Sequence, residues 1–241
     1  MTREEKWLLV EKHGGVPSPA FEADRERLAR GEPLAYVIGW QPFLGLRIRL
    51  DSRPLIPRVE TEWWMEQLIS ECGTPRTFLD LCAGSGAIGC AALARLPQAR
   101  VSFGEIDPAH EATIDANMSG NGLDRSRADI RIGDLFGPFD SKHFDIIAAN
   151  PPYIPAGREL DPGVASYEPH RALYAGPDGL GIIRRIAAEL PERLAPFGEA
   201  WIEVDSPSAE TAAELFRARG LSAAVRTDQF GKPRVVVVSF P

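Results

Sequence analysis

Residues 76–96 read RTFLDLCAGSGAIGCAALARL, in which an apolar run, a glycine-rich turn and a second apolar run follow one another directly. The first run, RTFLDL, is typical of a buried strand, and IGCAALARL is typical of a helix. Gly84 and Gly86 allow a tight turn between the two. A helix that begins at such a turn offers free backbone N–H groups to a ligand. The stretch therefore predicts a strand, a binding loop and a helix in succession.

The alternation of strands and helices continues from this stretch to the C-terminus. Six further strands are predicted at ARVSFGEI, ADIRI, FDIIAAN, EAWIEVD, LSAAVRT and PRVVVVSF. Helices are predicted from Pro108 to about Asn121, in GLGIIRRIAAELPERL, and from about Ser208 to Arg219. This pattern predicts a doubly wound, mostly parallel α/β sheet of seven strands, whose last two strands form an antiparallel hairpin at one edge. Ligands of such sheets bind beyond the carboxyl ends of the strands, where the strand order reverses.

The part of the chain before this sheet carries helix and hairpin signals. Two helical stretches are predicted in the first thirty residues, and the second begins after Ser18, a preferred N-cap, and stops at Gly31. QPFLGLRIRLDSRPLIP predicts a hairpin around Gly45, and VETEWWMEQLISECG predicts a helix that ends at Gly73. We expect the pair Trp63–Trp64 to pack between this segment and the main domain. The chain then divides into a short helical segment, a hairpin with a connecting helix, and the sheet domain, at residues 1–32, 33–73 and 74–241.

Composition limits the class of protein. The chain has 241 residues and is 44% hydrophobic, with no apolar run near the roughly 20 residues that a membrane helix needs. It has 27 basic and 34 acidic residues, a net charge of −7, which does not favour stable nucleic-acid binding. Three cysteines without a secretory signal are typical of reduced cytosolic thiols. We expect a cytoplasmic, monomeric enzyme that binds no membrane. No metal site is predicted, because the four histidines are scattered: His13, His110, His143 and His170.

Acidic residues after two strands complete a nucleotide-type pattern. Gly84, Gly86 and Gly89 satisfy the G-x-G-x-x-G spacing, and Glu105 ends the next strand about twenty residues later, where an acid accepts hydrogen bonds from ribose hydroxyls. Asp134, after the strand ADIRI, can accept from an adenine amine or can simply cap the next turn. These residues do not separate a dinucleotide from S-adenosylmethionine.

The sequence AANPPYIP at residues 148–155 selects between these cofactors. The proline that follows Asn150 holds it in an extended conformation, and neither Pro151 nor Pro152 has an N–H group. The Asn150 side-chain oxygen and the Pro151 carbonyl then form two acceptors, and Tyr153 adds a flat ring. This arrangement suits a planar –NH2 group that attacks a sulfonium methyl, a reaction that depends mainly on positioning and requires no metal or covalent nucleophile. A given tetrapeptide occurs by chance in roughly one such chain in a thousand.

Six stretches of the chain resemble a known family: RGEPLAYVIGWQPFLGLRIRL, LIPRVETE, DLCAGSGAIG, FDIIAANPPYI, YEPHRALYAGPDGL and GKPRVVVV. Together they resemble the HemK-type glutamine methyltransferases, which modify peptide-chain release factors. The resemblance runs from about Arg30 to the C-terminus, and LIPRVETE with NPPYI is specific to that group. It implies methyl transfer from S-adenosylmethionine to the side-chain amide of the glutamine in a release factor's Gly-Gly-Gln loop, which leaves S-adenosylhomocysteine.

The predicted site has a cofactor part and a substrate part. Cofactor contacts are predicted at Asp80, Cys82, Ala83, Gly84, Ser85, Gly86, Glu105, Ile106, Asp134, Leu135 and Asn150. Catalytic and substrate contacts are predicted at Asn150, Pro151, Pro152 and Tyr153. The family usually has Gly-Thr in place of Cys82–Ala83, and a glycine and a glutamine where SPSAE follows WIEVD here. It also places a longer helical bundle before GEPLAYVIG, and that bundle helps to hold the release factor.

Three other functions compete with this one. A glutamine methyltransferase that acts on a ribosomal protein shares NPPY, but LIPRVETE disfavours it. An adenine-amine methyltransferase would need a basic groove or an added recognition domain. A non-catalytic binding protein that kept the fold would have no need of an intact NPPY and glycine loop.

Overall fold

The N-terminal part of the protein is helical and is followed by a small hairpin. The structure, a computed structural model, describes residues 1–139 and 142–241. Its first elements are α1 (Arg3–His13), α2 (Pro19–Ala29), α3 (Leu34–Ile38), β1 (Trp40–Phe43), β2 (Leu46–Arg49) and α4 (Val59–Glu71). The Ser18 hydroxyl accepts a hydrogen bond from the Phe21 N–H group and so caps α2 as predicted. The predicted hairpin is also confirmed, because β1 and β2 pair antiparallel on either side of Gly45.

A seven-stranded sheet forms the centre of the protein. Its strands are β3 (Thr77–Leu81), β4 (Arg100–Glu105), β5 (Ala128–Ile132), β6 (Phe144–Ala149), β7 (Leu194–Glu203), β8 (Ser222–Thr227) and β9 (Pro233–Ser239). The strand order is β5-β4-β3-β6-β7-β9-β8, and all neighbours are parallel except β9, which is antiparallel to both β7 and β8. The remaining helices are α5 (Ala87–Arg95), α6 (Glu111–Gly120), α7 (Pro162–Tyr167), α8 (His170–Leu173), α9 (Gly181–Glu189) and α10 (Ala209–Arg217). The predicted doubly wound fold is confirmed.

Each face of the sheet is covered by helices, so the strands are apolar on both sides. On one face, Leu79 and Ile147 pack in a core with α9 and α10. On the other face, Phe78 and Ile146 pack in a core with α4 and α5. Neighbouring residues of a strand point to opposite faces, which is why the continuous apolar runs of the sequence form two cores.

The strand order reverses between β3 and β6. The chain moves outward from β3 to β4 and β5 and then returns to place β6 beside β3. The loop after β3 and the NPPY sequence after β6 therefore lie next to each other at the carboxyl edge, although about 65 residues separate them in the chain.

Three short helices were not predicted from the sequence: α3, α7 and α8. The connection from Pro151 to Asp178 contains α7 and α8, and its Ile154 and Tyr174 form a parallel bridge. Helices this short are not stable from local propensity alone and depend on tertiary contacts. Among the described residues, no helix combines the length and apolarity needed to cross a bilayer.

Candidate active site

A cavity of about 270 Å³ lies at the carboxyl edge of the sheet, where the strand order reverses. The turn after β3 lines one side of it, and Asn150 and Pro152 line another. Ten of the predicted site residues line this cavity: Cys82, Ala83, Gly84, Ser85, Glu105, Ile106, Asp134, Leu135, Asn150 and Pro152. The fold thus brings most of the predicted cofactor residues and part of NPPY to one place.

The turn after β3 presents its backbone to the cavity. Cys82 and Gly84 have positive φ angles of 62° and 53°, which fold the chain back tightly after the strand. The Ala83 N–H group donates to the Gly104 carbonyl at 3.0 Å, which fixes the turn to β4. A Cβ atom at Gly84 would have only the Pro54 Cβ nearby, at 3.8 Å, so the backbone here faces open space. A ligand can therefore lie directly against this turn.

Glu105 ties the turn after β3 to the turn after β4. Its side chain is buried, with Oε2 accepting from the Gly84 N–H group at 2.7 Å and Oε1 accepting from the Asp107 N–H group at 2.8 Å. A carboxylate oxygen has two lone pairs, so each of these oxygens can accept a further hydrogen bond. Glu105 lines the cavity and can therefore hold a ligand hydroxyl while it also shapes the loop.

Asp80 lies beneath the glycine turn and does not line the cavity. It is completely buried, and its Oδ2 accepts from the Gly89 N–H group in the first turn of α5 at 2.8 Å. Burial raises the pKa of the Asp80 carboxyl well above its usual range, with the Gly89 hydrogen bond acting in the opposite direction. Gly86, the N-cap of α5, is likewise absent from the residues that line the cavity. Both residues were predicted to contact the cofactor, and in the structure they support the helix under the turn.

Asp134 forms an ion pair at the rim of the cavity. Its Oδ2 lies 2.6 Å from a guanidinium nitrogen of Arg185 on α9, and both side chains are exposed. The neighbouring Leu135 is buried and contributes an apolar wall to the cavity. Ile106, which follows Glu105 in the chain, also lines the cavity and contributes a second apolar surface. Acceptors beside apolar walls suit a nucleoside, whose hydroxyls and amine donate and whose base is flat.

Asn150 is held by a buried hydrogen-bonded network. Its Nδ2 group donates to the Thr61 hydroxyl at 3.1 Å, and Thr61 donates to Oε2 of Glu203 at 2.6 Å. The same oxygen accepts from the Trp64 indole N–H group at 2.8 Å, and Oε1 accepts from the Tyr153 hydroxyl at 2.9 Å. We call Thr61, Trp64, Asn150, Tyr153 and Glu203 the Glu203 network. It joins α4, β7 and both ends of NPPY.

The electrostatics of the network follow from its burial. Burial raises the pKa of the Glu203 carboxyl, and the donors Thr61, Trp64 and Tyr153 partly offset this increase. Burial, with the nearby Glu203 charge, raises the pKa of Tyr153 well above its usual range, so the hydroxyl remains protonated and donates. Three donors on one carboxylate thus compensate in part for the removal of its charge from water.

The ring of Tyr153 has a different place from the one that the sequence suggested. Pro151 and Tyr153 do not line the cavity, whereas Asn150 and Pro152 do. The Tyr153 side chain packs against the core formed with α9 and α10. The hydrogen bond from the Tyr153 hydroxyl to Glu203 therefore holds NPPY on the side of this core and not from within the cavity.

Sequence reasoning did not identify several residues of this region, among them Ser52, Thr61, His110 and Glu203. Thr61 lies in LIPRVETE, and Glu203 is an acid at the end of an apolar strand, so both had a visible signal. His110 lines the cavity, and its Nδ1 lies 2.8 Å from the Ser52 hydroxyl, which accepts from Thr113 at 2.8 Å. Nothing in the spacing of the four histidines indicated this contact.

The packing of the two neighbouring tryptophans differs. Trp64 is buried and stacks on Trp201 of β7 with ring centroids 6.5 Å apart, which confirms the prediction that it packs on the main domain. Trp63 is 37% exposed.

Solved structures of similar fold are methyltransferases. A methyltransferase from Pyrococcus furiosus superposes with a TM-score of 0.62 at 15% identity, covering 90% of this chain and 97% of that one. A 16S rRNA N2 G1207 methyltransferase from T. thermophilus, solved with AdoMet and guanosine, gives a TM-score of 0.58 at 18% identity and covers 84% of this chain and 50% of that one. At these identities the similarity shows a shared Rossmann-like methyltransferase fold.

Sequence relatives identify the family within this fold. Residues 60–166 match the family model of the methyltransferase small domain. A release factor glutamine methyltransferase of Chlamydia trachomatis is 37% identical over 201 residues, which cover 81% of this chain and 68% of that protein. Another, of Xylella fastidiosa, is 35% identical over 244 residues and covers 98% of this chain and 87% of that protein. The chain belongs to the release factor glutamine methyltransferase family.

Proposed function

We propose that the protein methylates the side-chain amide nitrogen of the glutamine in the Gly-Gly-Gln motif of peptide chain release factors. The methyl donor is S-adenosylmethionine, and the product is S-adenosylhomocysteine. The observation that carries the proposal is that Asn150 of NPPY and the glycine turn after β3 line the same cavity in a chain of this family.

The cavity residues fit S-adenosylmethionine. The turn Cys82–Ser85 provides a backbone surface without bulky side chains, and Glu105 provides acceptors for ribose hydroxyls. Asp134 provides an acceptor for the adenine amine, and Leu135 and Ile106 provide apolar surfaces for the base. When bound, this cofactor supplies an electrophilic sulfonium methyl, so the protein needs no metal and no covalent nucleophile.

The role of NPPY is to position the glutamine amide. We assign the Asn150 side-chain oxygen, which lines the cavity, and the carbonyl of Pro151, a residue that does not line it, as acceptors for the two amide hydrogens. Pro151 and Pro152 have no N–H groups, so they offer no donor that competes for these acceptors. In the reaction the amide nitrogen gains the methyl and loses one of its two hydrogens as a proton. Alignment of the nitrogen accounts for most of the acceleration in this mechanism.

The remaining assignments concern the whole protein in the cell. We propose that residues 74–241 form the methyltransferase domain and that residues 33–73, a hairpin and connecting helix, complete its cavity, since Pro57 and Thr61 line it. We propose that the short helical segment of residues 1–32 helps to dock the release factor. We further propose that the protein acts in the cytoplasm as a monomer in translation termination, without stable binding to nucleic acid or membrane. The net charge of −7 supports the proposal on nucleic acid.

The function is tested by incubation of the protein with methyl-labelled S-adenosylmethionine and three separate substrates. These are a folded release factor, ribosomal proteins and DNA, and mass spectrometry locates the label. We expect one methyl group on the glutamine of Gly-Gly-Gln and none on the other two. Label on a ribosomal protein or on adenine, or no label on the release factor, would contradict the proposed substrate.

A further inference from the structure

The side-chain amide of Asn150 can be oriented in two ways, and only one of them presents an acceptor to a substrate amide. We propose that Thr61 and Glu203 are positioning residues for methyl transfer, because they fix Asn150 with its oxygen free for the substrate. The inference rests on the proposed function and adds two residues to its machinery. It is independent of which protein carries the substrate glutamine.

The orientation follows from the donors and acceptors of the network. The Trp64 indole nitrogen can only donate, so Oε2 of Glu203 must accept from it at 2.8 Å. A hydroxyl has one hydrogen, and Thr61 uses it for the same carboxylate oxygen at 2.6 Å. The Thr61 oxygen can then only accept a further hydrogen bond. Asn150 must therefore turn its NH2 group toward Thr61, as the structure shows at 3.1 Å.

The opposite orientation of the amide is unfavourable for a specific reason. A flipped Asn150 would place its carbonyl oxygen against the Thr61 oxygen, whose hydrogen is already used, so two sets of lone pairs would face each other. In the observed orientation, no donor among the described parts of the chain bonds to Oδ1 of Asn150. Because Asn150 lines the cavity, this oxygen is the acceptor that the network leaves to a ligand.

The second end of NPPY depends on the same carboxylate. Oε1 of Glu203 accepts from the Tyr153 hydroxyl at 2.9 Å, and Glu203 is 1% exposed at the end of β7. One buried residue therefore fixes the motif on both sides of its two prolines. Thr61 and Trp64 are three residues apart on α4, so they lie on one helix face and reach the same oxygen.

The kinetic test compares Thr61→Val with Thr61→Ser. Valine has nearly the same shape as threonine and removes the acceptor for Asn150, whereas serine keeps it. We expect kcat for release factor methylation to fall on the order of 10-fold or more in Thr61→Val, with KM for S-adenosylmethionine within about 2-fold. Thr61→Ser should return kcat to within about 3-fold of wild type. A Thr61→Val enzyme with unchanged kcat would overturn the inference.

A matched control separates positioning from general loss of stability. The Thr77 hydroxyl accepts from the Asp145 N–H group at 2.9 Å. Thr77 lies at the amino end of β3, whereas the cavity lies at the carboxyl ends of the strands. Thr77→Val should lower Tm without lowering kcat at temperatures well below Tm. If Thr77→Val and Thr61→Val lower kcat equally, the role of Thr61 is only structural.

The network can also be observed without any activity. The chain contains three asparagines, Asn117, Asn121 and Asn150, so labelling of the side-chain amides with ¹⁵N-asparagine gives three signals in an NMR spectrum, each a pair of cross-peaks from one NH2 group. Thr61→Val should shift the Asn150 signal and increase its hydrogen exchange, while Asn117 and Asn121 serve as internal references. Loss of the signal in Asn150→Ser assigns it.

The two kinds of measurement distinguish the possible failures. If the wild-type protein methylates no release factor, the proposed function fails, and the NMR spectrum still reports whether Thr61 holds Asn150. If the wild type is active but the Asn150 signal is the same in Thr61→Val, the network does not orient the amide. Should Thr61→Val not fold, Thr61→Ala removes the same hydroxyl and is tested in the same way.

Discussion

The Glu168 carboxylate accepts from the Arg58 guanidinium at 2.6 Å across 110 residues of chain. The Glu168 side chain is almost completely buried, and its second oxygen accepts from the Ile56 N–H group at 3.2 Å. These bonds fasten the long connection after NPPY to the segment LIPRVETE, which also contains Thr61. The N-terminal end of α4, where Thr61 lines the cavity, is thus fastened to a distant part of the chain.

Removal of this buried carboxylate should destabilise the protein. We expect Glu168→Ala to lower the free energy of unfolding by about 1–3 kcal/mol, because the buried Ile56 N–H group loses its partner and Arg58 loses its charge partner. Urea unfolding of the two proteins measures this difference. Glu214→Ala is the control, since Glu214 pairs with Arg217 on the surface and should change the free energy of unfolding by less than about 1 kcal/mol. Equal losses of unfolding free energy in the two variants would show that the buried ion pair stabilises the protein no more than the exposed pair does.

Removal of the Asn150 amide should strongly reduce turnover and spare cofactor binding. Asn150→Ala removes one of the two proposed acceptors for the glutamine amide, so we expect kcat to fall on the order of 100-fold or more. The dissociation constant for S-adenosylmethionine, measured by calorimetry, should change by less than about 5-fold. Asn121→Ala is a control amide deletion, because Asn121 binds the backbone of β2. Normal turnover in Asn150→Ala would remove this residue from the mechanism.

Neutralisation of Glu105 should weaken cofactor binding. Both carboxylate oxygens accept from backbone N–H groups, and the NH2 group of a glutamine would face one of these donors. We expect Glu105→Gln to raise the dissociation constant for S-adenosylmethionine by about 10- to 100-fold. Glu111→Gln, at the exposed start of α6, is the matched control. An unchanged dissociation constant in Glu105→Gln would contradict a role of Glu105 in the cofactor site.

The raised pKa of Glu203 predicts a pH dependence of stability. A carboxyl whose pKa is higher in the folded than in the unfolded protein stabilises the fold below its ordinary value of 4.5, and this contribution is lost as pH rises through the folded pKa. The wild type should therefore lose stability relative to Glu203→Gln over this window as pH rises. Tm measured for both proteins between about pH 4 and pH 8 tests the sign. A difference in Tm that is constant with pH would show that the pKa of Glu203 is not raised.

The same residue predicts the opposite trend for activity. Three donors point at Glu203, so its carboxylate form holds the network together. When pH falls below the raised pKa, protonation removes an acceptor from these donors, and we expect kcat to fall with it. Stability and turnover should therefore change in opposite directions over this window, and parallel trends would contradict the model of an ionised network.

Local sequence signals were sufficient for the elements and for the two motifs. The cap at Ser18, the hairpin at Gly45 and the strand–turn–helix at residues 76–96 each depend on neighbours in the chain. Alternation of strands and helices then implied a parallel sheet with a reversal of strand order. The short helices α3, α7 and α8 escaped prediction because tertiary contacts stabilise them more than their own residues do.

What the sequence by itself determined is the doubly wound sheet, the glycine turn and NPPY with its fixed backbone. What only the tertiary structure decided is how the side chains at the site are used. Asp80 is buried under the turn, and Tyr153 holds NPPY through its hydrogen bond to Glu203. Asn150 donates to Thr61 across 89 residues of chain. The physical reason is that backbone conformation follows from local residue types, whereas the direction of a side-chain hydrogen bond depends on which donors and acceptors the fold brings within about 3 Å.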